Sequence, residues 1–181
     1  MKTALLIIDV QNDYFPNGNC QLHESETALN VIKTMLKYFR DHHLPIYFVQ
    51  HISAEGATFF VPDTDGVNIH QDIKPLDSEK LIIKHSPNSF HKTNLQSELE
   101  KDGIDKLVIC GMMTHMCVDT TVRCAKDLGY SNILISDACS TKDLEWNGMS
   151  LPASIVQKVY FASIDGSFAK IVTGEEYLTY Y

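Results

Sequence analysis

No C-x-x-C pair occurs among the five cysteines of this 181-residue chain. That spacing would mark a zinc ribbon or a dithiol redox motif, and neither is written here. The cysteine number is odd and the positions are scattered, so no disulfide framework is expected and a reducing cytoplasm is the expected setting. Positive charge is scarce too: 15 Lys and Arg stand against 23 Asp and Glu, a net charge of -8. That sign argues against nucleic acid or an anionic membrane surface as partner, and no basic stripe with interleaved aromatics opposes it. Long apolar runs are missing. The N-terminal run from Ala4 to Ile8 meets Asp9, too early for a membrane span or a signal-peptide core. No G-x-G-x-x-G follows that run, which counts against a dinucleotide-binding module, and no cofactor is expected. Repeats, linkers and low-complexity tracts are absent, and the length fits one domain, 1–181.

What is present is a rhythm. Residues 4–10, 46–52, 81–85, 107–110, 133–137 and 170–172 are short runs rich in Val, Ile and Leu. They alternate little, as strands covered on both faces do. Between them lie helical patterns. Ala28, Leu29, Val31, Ile32, Met35, Leu36 and Phe39 form one stripe, with Ser25 or Thr27 as candidate caps. Leu95 and Leu99 mark a shorter helix that stops at Gly103; another runs from Cys117 to about Gly129, and Pro152 fits the first turn of a fourth. Strand alternating with helix predicts a three-layer α/β/α fold around a six-stranded, mainly parallel sheet. Residues 53–78 break the rhythm with several Gly, Pro and Asp. Phe59, Phe60 and Val61 need something to pack on, so this segment reads as a substrate-side flap or a subunit contact.

Ligands in such folds bind beyond the carboxyl ends of the strands. Three reactive residues fall there. Asp9 follows four aliphatics, Leu5 to Ile8, where a carboxylate is costly unless paired. Lys84 ends Leu81-Ile82-Ile83 in the same way. Cys117 lies between the run ending at Cys110 and the helix that follows. Free N–H groups at a helix start favour the thiolate, so a reactive thiol is expected. Acid or base, cation and nucleophile on one sheet edge make a coherent catalytic set.

The segments Leu6-Ile7-Ile8-Asp9-Val10-Gln11, Ile83-Lys84-His85-Ser86-Pro87 and Cys110-Gly111-Met112-Met113-Thr114-His115-Met116-Cys117 carry a resemblance. Their order and spacing resemble the isochorismatase-like cysteine hydrolases over nearly the whole chain. The resemblance implies an Asp9–Lys84–Cys117 triad, with Cys117 as nucleophile, Asp9 as general base and Lys84 paired to Asp9. It also implies a cis peptide between Met112 and Met113, which would aim the Met113 and Cys117 N–H groups as an oxyanion hole. Homodimers or homotetramers are implied as well.

Cys117 favours covalent amide chemistry over the vinyl ether hydrolysis of isochorismate-type members. Val49-Gln50-His51-Ile52-Ser53 lacks the Asp-x-His metal site that the resemblance associates with nicotinamidases. Ligands assembled from His51, Asp63, Asp65 and His70 are the remaining route to a metal, and none is expected. Residues 56–62 and 66–70, with the Met-Met-Thr-His-Met loop, look most like the streptothricin-hydrolase-like subgroup, which points to a small amide or lactam substrate. Gln11, Tyr14, Phe15, Phe59, Phe90, Met112, His115 and Trp146 are the expected substrate contacts. Trp146 would line the pocket or a subunit interface. The alternatives are a metal-dependent nicotinamidase, a vinyl ether hydrolase, a non-hydrolytic thiol redox or sensor protein, and a catalytically retired scaffold.

Overall fold

The computed structural model describes residues 2–181. Strand β1 (Thr3–Ile8) is followed by helix α1 (Ser25–Asp41), β2 (Ile46–His51) and β3 (Lys80–Lys84). Then come α2 (Leu95–Lys101), β4 (Lys106–Met112), α3 (Asp119–Asp127) and β5 (Ser131–Ser140). A small hairpin of β6 (Leu144–Trp146) and β7 (Met149–Leu151) precedes α4 (Ala153–Ile164), β8 (Lys170–Val172) and α5 (Gly174–Tyr180). The main sheet has six strands in the order β3-β2-β1-β4-β5-β8, and every pairing is parallel.

Burial explains the uninterrupted apolar runs. Along β1, Leu5 and Ile7 face the core that Ile32, Met35 and Phe39 of α1 fill. Ala4, Leu6 and Ile8 face the opposite core, with Leu95 and Leu99 of α2 and Val122 of α3. A strand buried on both sides has no polar face to alternate with.

The strand order reverses direction between β1 and β4, so a crevice opens where their carboxyl ends diverge. Ile8 pairs with Val49 on one side and Gly111 on the other, while His51 pairs with Lys84. That register delivers residues 9, 51 and 84 and the loop after β4 to one edge. Gly111 makes the close approach possible. A Cβ there would lie 2.1 Å from the Ile8 carbonyl oxygen, and φ is +127°.

Residues 53–78 pack onto the body of the protein. Phe60 is buried and meets Tyr14 edge-on at 4.6 Å; its N–H donates to Asp13 Oδ2 at 2.6 Å. Short helical turns at Asp65–Val67 and Gln71–Ile73 complete the segment.

The sheet and the principal helices follow the periodicity, but several local expectations differ. Neither Ser25 nor Thr27 caps α1. Glu24 opens it in a left-handed conformation with φ 52° and no side-chain cap. Pro152 is the N-cap of α4 rather than part of its first turn. Cys117 lies in a π turn, Thr114–Val118, ahead of α3. The hairpin and α5 are not visible in periodicity because they carry no buried apolar run. The capping box of Thr173 and Glu176 at the start of α5 is nonetheless a readable local signal. Among the described residues no helix is long and apolar enough to cross a membrane.

Candidate active site

Chain direction at the strand ends brings Asp9, Lys84 and Cys117 together. Asp9 turns out of β1 with φ 51°, a left-handed conformation that an Asp tolerates better than most residues. Its carboxylate is wholly buried, as is the Lys84 side chain, and the two form an ion pair at 2.7 Å. Neither carboxylate oxygen accepts a hydrogen bond of normal geometry among the described residues. The ammonium instead directs its three N–H groups at His51 Nδ1 (3.0 Å), the Ser86 carbonyl (3.0 Å) and Cys117 Sγ (3.2 Å). Lys84 therefore bridges acid and thiol, with Cys117 only 5% exposed.

Burial sets the protonation of these groups. It raises the Asp9 carboxyl above the ordinary carboxylate range, and the nearby Lys84 charge opposes the rise without cancelling it. It also pushes the Cys117 thiol up, and the Asp9 carboxylate pushes it further, against Lys84. Cys117 is thus held as a thiol next to the Asp9–Lys84 ion pair. This corrects the expectation of a thiolate favoured by a helix start, because desolvation in a closed site outweighs the field of a π turn two residues before α3. Burial, with Lys84 and His85 adding to it, lowers His51 to about 4, so its imidazole is neutral at ordinary pH.

The peptide between Met112 and Met113 is cis. After it the chain winds tightly: the N–H groups of Met116 and Val118 both donate to the Met113 carbonyl, at 3.0 and 3.2 Å. The Cys117 N–H lies between them in this turn.

The expected substrate contacts divide. Tyr14 is buried, with its ring 4.6 Å from that of Phe60, which in turn lies 6.0 Å from the His51 imidazole; burial pushes its phenol well up. Phe59 is partly buried with its ring 5.9 Å from that of Tyr14. His115 is half-buried, with Nδ1 2.5 Å from Thr141 Oγ1, and burial lowers its pKa. Phe15 is a core residue with its ring 4.4 Å from that of His70.

Four others have different surroundings. Gln11 is spent internally: Nε2 donates to the carbonyls of His51 (2.8 Å) and Val67 (2.7 Å), and Oε1 accepts from the His51 N–H (2.8 Å). It joins β1, β2 and the 53–78 segment, leaving no amide hydrogen for a ligand. Met112 is wholly buried in the core that faces α1. Phe90 stacks on Tyr130, which precedes β5 at the amino edge of the sheet, the end opposite the cluster. Trp146 is 77% exposed on the β6–β7 hairpin.

A metal is a poor fit. The ligand set considered from sequence does not assemble: Asp63 and Asp65 are exposed, and His70 packs on Phe15. Asp9, His51 and Cys117 do present ligand atoms within 4.8 Å of one another. Lys84 Nζ already lies against all three, and a divalent ion would sit beside that fixed positive charge.

The residues that sequence reasoning missed are His51 as a ligand of Lys84 and the Ser86 carbonyl. The sequence offers His51 only as a metal-ligand candidate. Its register opposite Lys84 follows from pairing β2 with β3, whereas no sequence signal marks the Ser86 carbonyl.

The isochorismatase domain family matches residues 3–157. The chain is 45% identical over 180 residues to the uncharacterized isochorismatase family protein YddQ of Bacillus subtilis (strain 168), covering 98% of this chain and 99% of that protein. A crystal structure from Oleispira antarctica, provisionally described as an isochorismatase hydrolase, superposes with a TM-score of 0.96 at 39% identity, covering 98% of this chain and 96% of that one. Streptothricin hydrolase of Streptomyces noursei is 31% identical over 141 residues, 78% of this chain and 50% of that protein.

Proposed function

The chain belongs to the isochorismatase family of hydrolases, and on that premise we propose that it cleaves the C–N bond of a small amide or lactam through a thioester on Cys117. One observation carries this reading. A buried lysine lies 2.7 Å from a buried carboxylate and 3.2 Å from a cysteine sulfur, on the strand ends where the fold binds ligands. Similarity to a streptothricin hydrolase supports an amide substrate.

The cycle needs no group beyond these residues, substrate and water. Asp9, whose oxygens receive no hydrogen bond of normal geometry, accepts the Cys117 proton as sulfur attacks the carbonyl carbon. Lys84, already donating to sulfur, stabilises the thiolate as it forms. The Met113 and Cys117 N–H groups hold the tetrahedral oxyanion. The C–N bond breaks as protonated Asp9 returns its proton to the leaving nitrogen. Water then attacks the thioester, Asp9 taking its proton, and the thiol is restored. Tyr14, Phe59 and His115 are the proposed substrate contacts.

Products from a panel of primary amides, lactams and carbamoyl compounds, followed by mass spectrometry, test this. Hydrolysis should occur with the native protein and vanish in Cys117→Ala. Turnover that survives Cys117→Ala would refute the covalent route.

A further inference from the structure

An ammonium group has three N–H donors, and Lys84 has four groups around it that want one. Three receive them: His51 Nδ1, the Ser86 carbonyl and Cys117 Sγ. The fourth, Asp9, is at ion-pair distance but accepts no hydrogen bond of normal geometry. This distribution is chemically unusual, because a carboxylate is the strongest acceptor of the four. The ammonium lies closest to Asp9, at 2.7 Å, so what the other three acceptors set is the direction of its N–H groups and not its distance from the carboxylate.

We propose that His51 is a positioning residue: its neutral imidazole takes one N–H of Lys84, which keeps another on the Cys117 sulfur and leaves Asp9 unsatisfied and able to accept the thiol proton. This rests on the function proposed above. The ammonium only donates, so Nδ1 must be the acceptor and Nε2 must carry the ring hydrogen. The ring is held firmly. Strand pairing sets His51 opposite Lys84, and Gln11 clamps its backbone through both the N–H and the carbonyl. Phe60 lies 6.0 Å from the imidazole, ring to ring. The charged or titratable groups near the imidazole are Lys84, Asp9, Cys117 and His85, and His85 Nδ1 is 2.8 Å from the Ile52 carbonyl.

Without the His51 acceptor, one N–H of Lys84 is released and turns to the nearest strong acceptor, Asp9. The carboxylate then becomes a satisfied ion pair and a weaker base toward the Cys117 thiol. Asp9 and Cys117 titrate as a coupled pair, so the consequence is a lower apparent pKa for the first proton and a smaller share of the thiolate form.

Iodoacetamide supplies a probe that does not depend on knowing the substrate. The rate of alkylation of the Cys117 peptide is read by mass spectrometry across pH in the native protein and in His51→Leu, His51→Asn and Lys84→Met. His51→Leu should slow alkylation at neutral pH by roughly tenfold or more, a fraction of what positioned proton transfer contributes, and move the acid limb of the profile to lower pH. His51→Asn, whose side-chain oxygen can accept near the Nδ1 position, should restore the limb and most of the rate. A role in packing alone would change the rate without moving the limb and would not be rescued by Asn. If Lys84→Met slows alkylation while His51→Leu keeps the native rate and limb, the positioning role is overturned and the lysine-assisted thiol stands. If Lys84→Met leaves the profile unchanged, the function proposed above falls with it.

Discussion

Replacing Lys84 by Met tests whether the buried ion pair is structural as well as chemical. Methionine keeps the length of the side chain and removes only the charge, and Lys84 is 1% exposed. At 2.7 Å the pair attracts by roughly 6 kcal/mol for an effective dielectric constant of about 20. Desolvation of both charges offsets much of this. The net effect of deleting one partner is a loss of about 3–5 kcal/mol, because the other charge stays buried and alone. Asp9, already raised by burial, then rises further. A carboxyl whose folded pKa lies above its unfolded value favours folding most when protonated. The variant should therefore be closest to native stability at low pH and lose ground as pH rises through the folded Asp9 pKa. Adding Asp9→Asn removes the orphaned charge and should recover most of the loss. Urea unfolding of the native, single and double variants at several pH values is the assay. A Lys84→Met loss under about 1 kcal/mol, a loss independent of pH, or a double variant no more stable than the single one would refute the reasoning.

Two further outcomes are expected. Gly111→Ala should cost about 3 kcal/mol or more, or prevent folding, since its Cβ would meet the Ile8 carbonyl oxygen at 2.1 Å where φ is +127°; thermal melting or soluble yield reports it. In the ligand-free protein, iodoacetamide should modify Cys117 more slowly at neutral pH than it modifies free cysteine, because burial and the Asp9 charge keep the thiol protonated; faster modification would show a thiolate at rest.

The reach of sequence reasoning is clearest at Asp9, Lys84 and Gln11. Asp9 follows an aliphatic run that marks it as a carboxylate needing a partner, whereas the same pattern before Lys84 fits a solvated strand end, and only the fold buries that lysine. Gln11 carries the same kind of mark and has a different use. Its three hydrogen bonds reach His51 and Val67, 40 and 56 residues away, and no local pattern reports them. Phe90 and Met112 pose a related problem. Both lie next to reactive segments in sequence, and only the fold shows that Phe90 stacks on Tyr130 and that Met112 is buried in the core facing α1. The β6–β7 hairpin and α5 escaped because they carry no buried apolar run: the hairpin is mostly exposed and α5 buries only Gly174 and Tyr177.

By itself, then, the sequence determined the α/β architecture, the six parallel strands and the edge at which Asp9, Lys84 and Cys117 gather. Runs of Val, Ile and Leu without alternation suit strands covered on both faces, as β1 is, although the edge strand β3 leaves Leu81 and Ile83 exposed, and parallel strands carry their carboxyl ends to one side. Tertiary structure alone decided what those residues are like once there. The raised thiol, the neutral His51 and the direction of each Lys84 N–H depend on desolvation and on acceptors supplied by distant segments. A pKa is the difference between two solvation environments, and an environment exists only after the chain has folded around it.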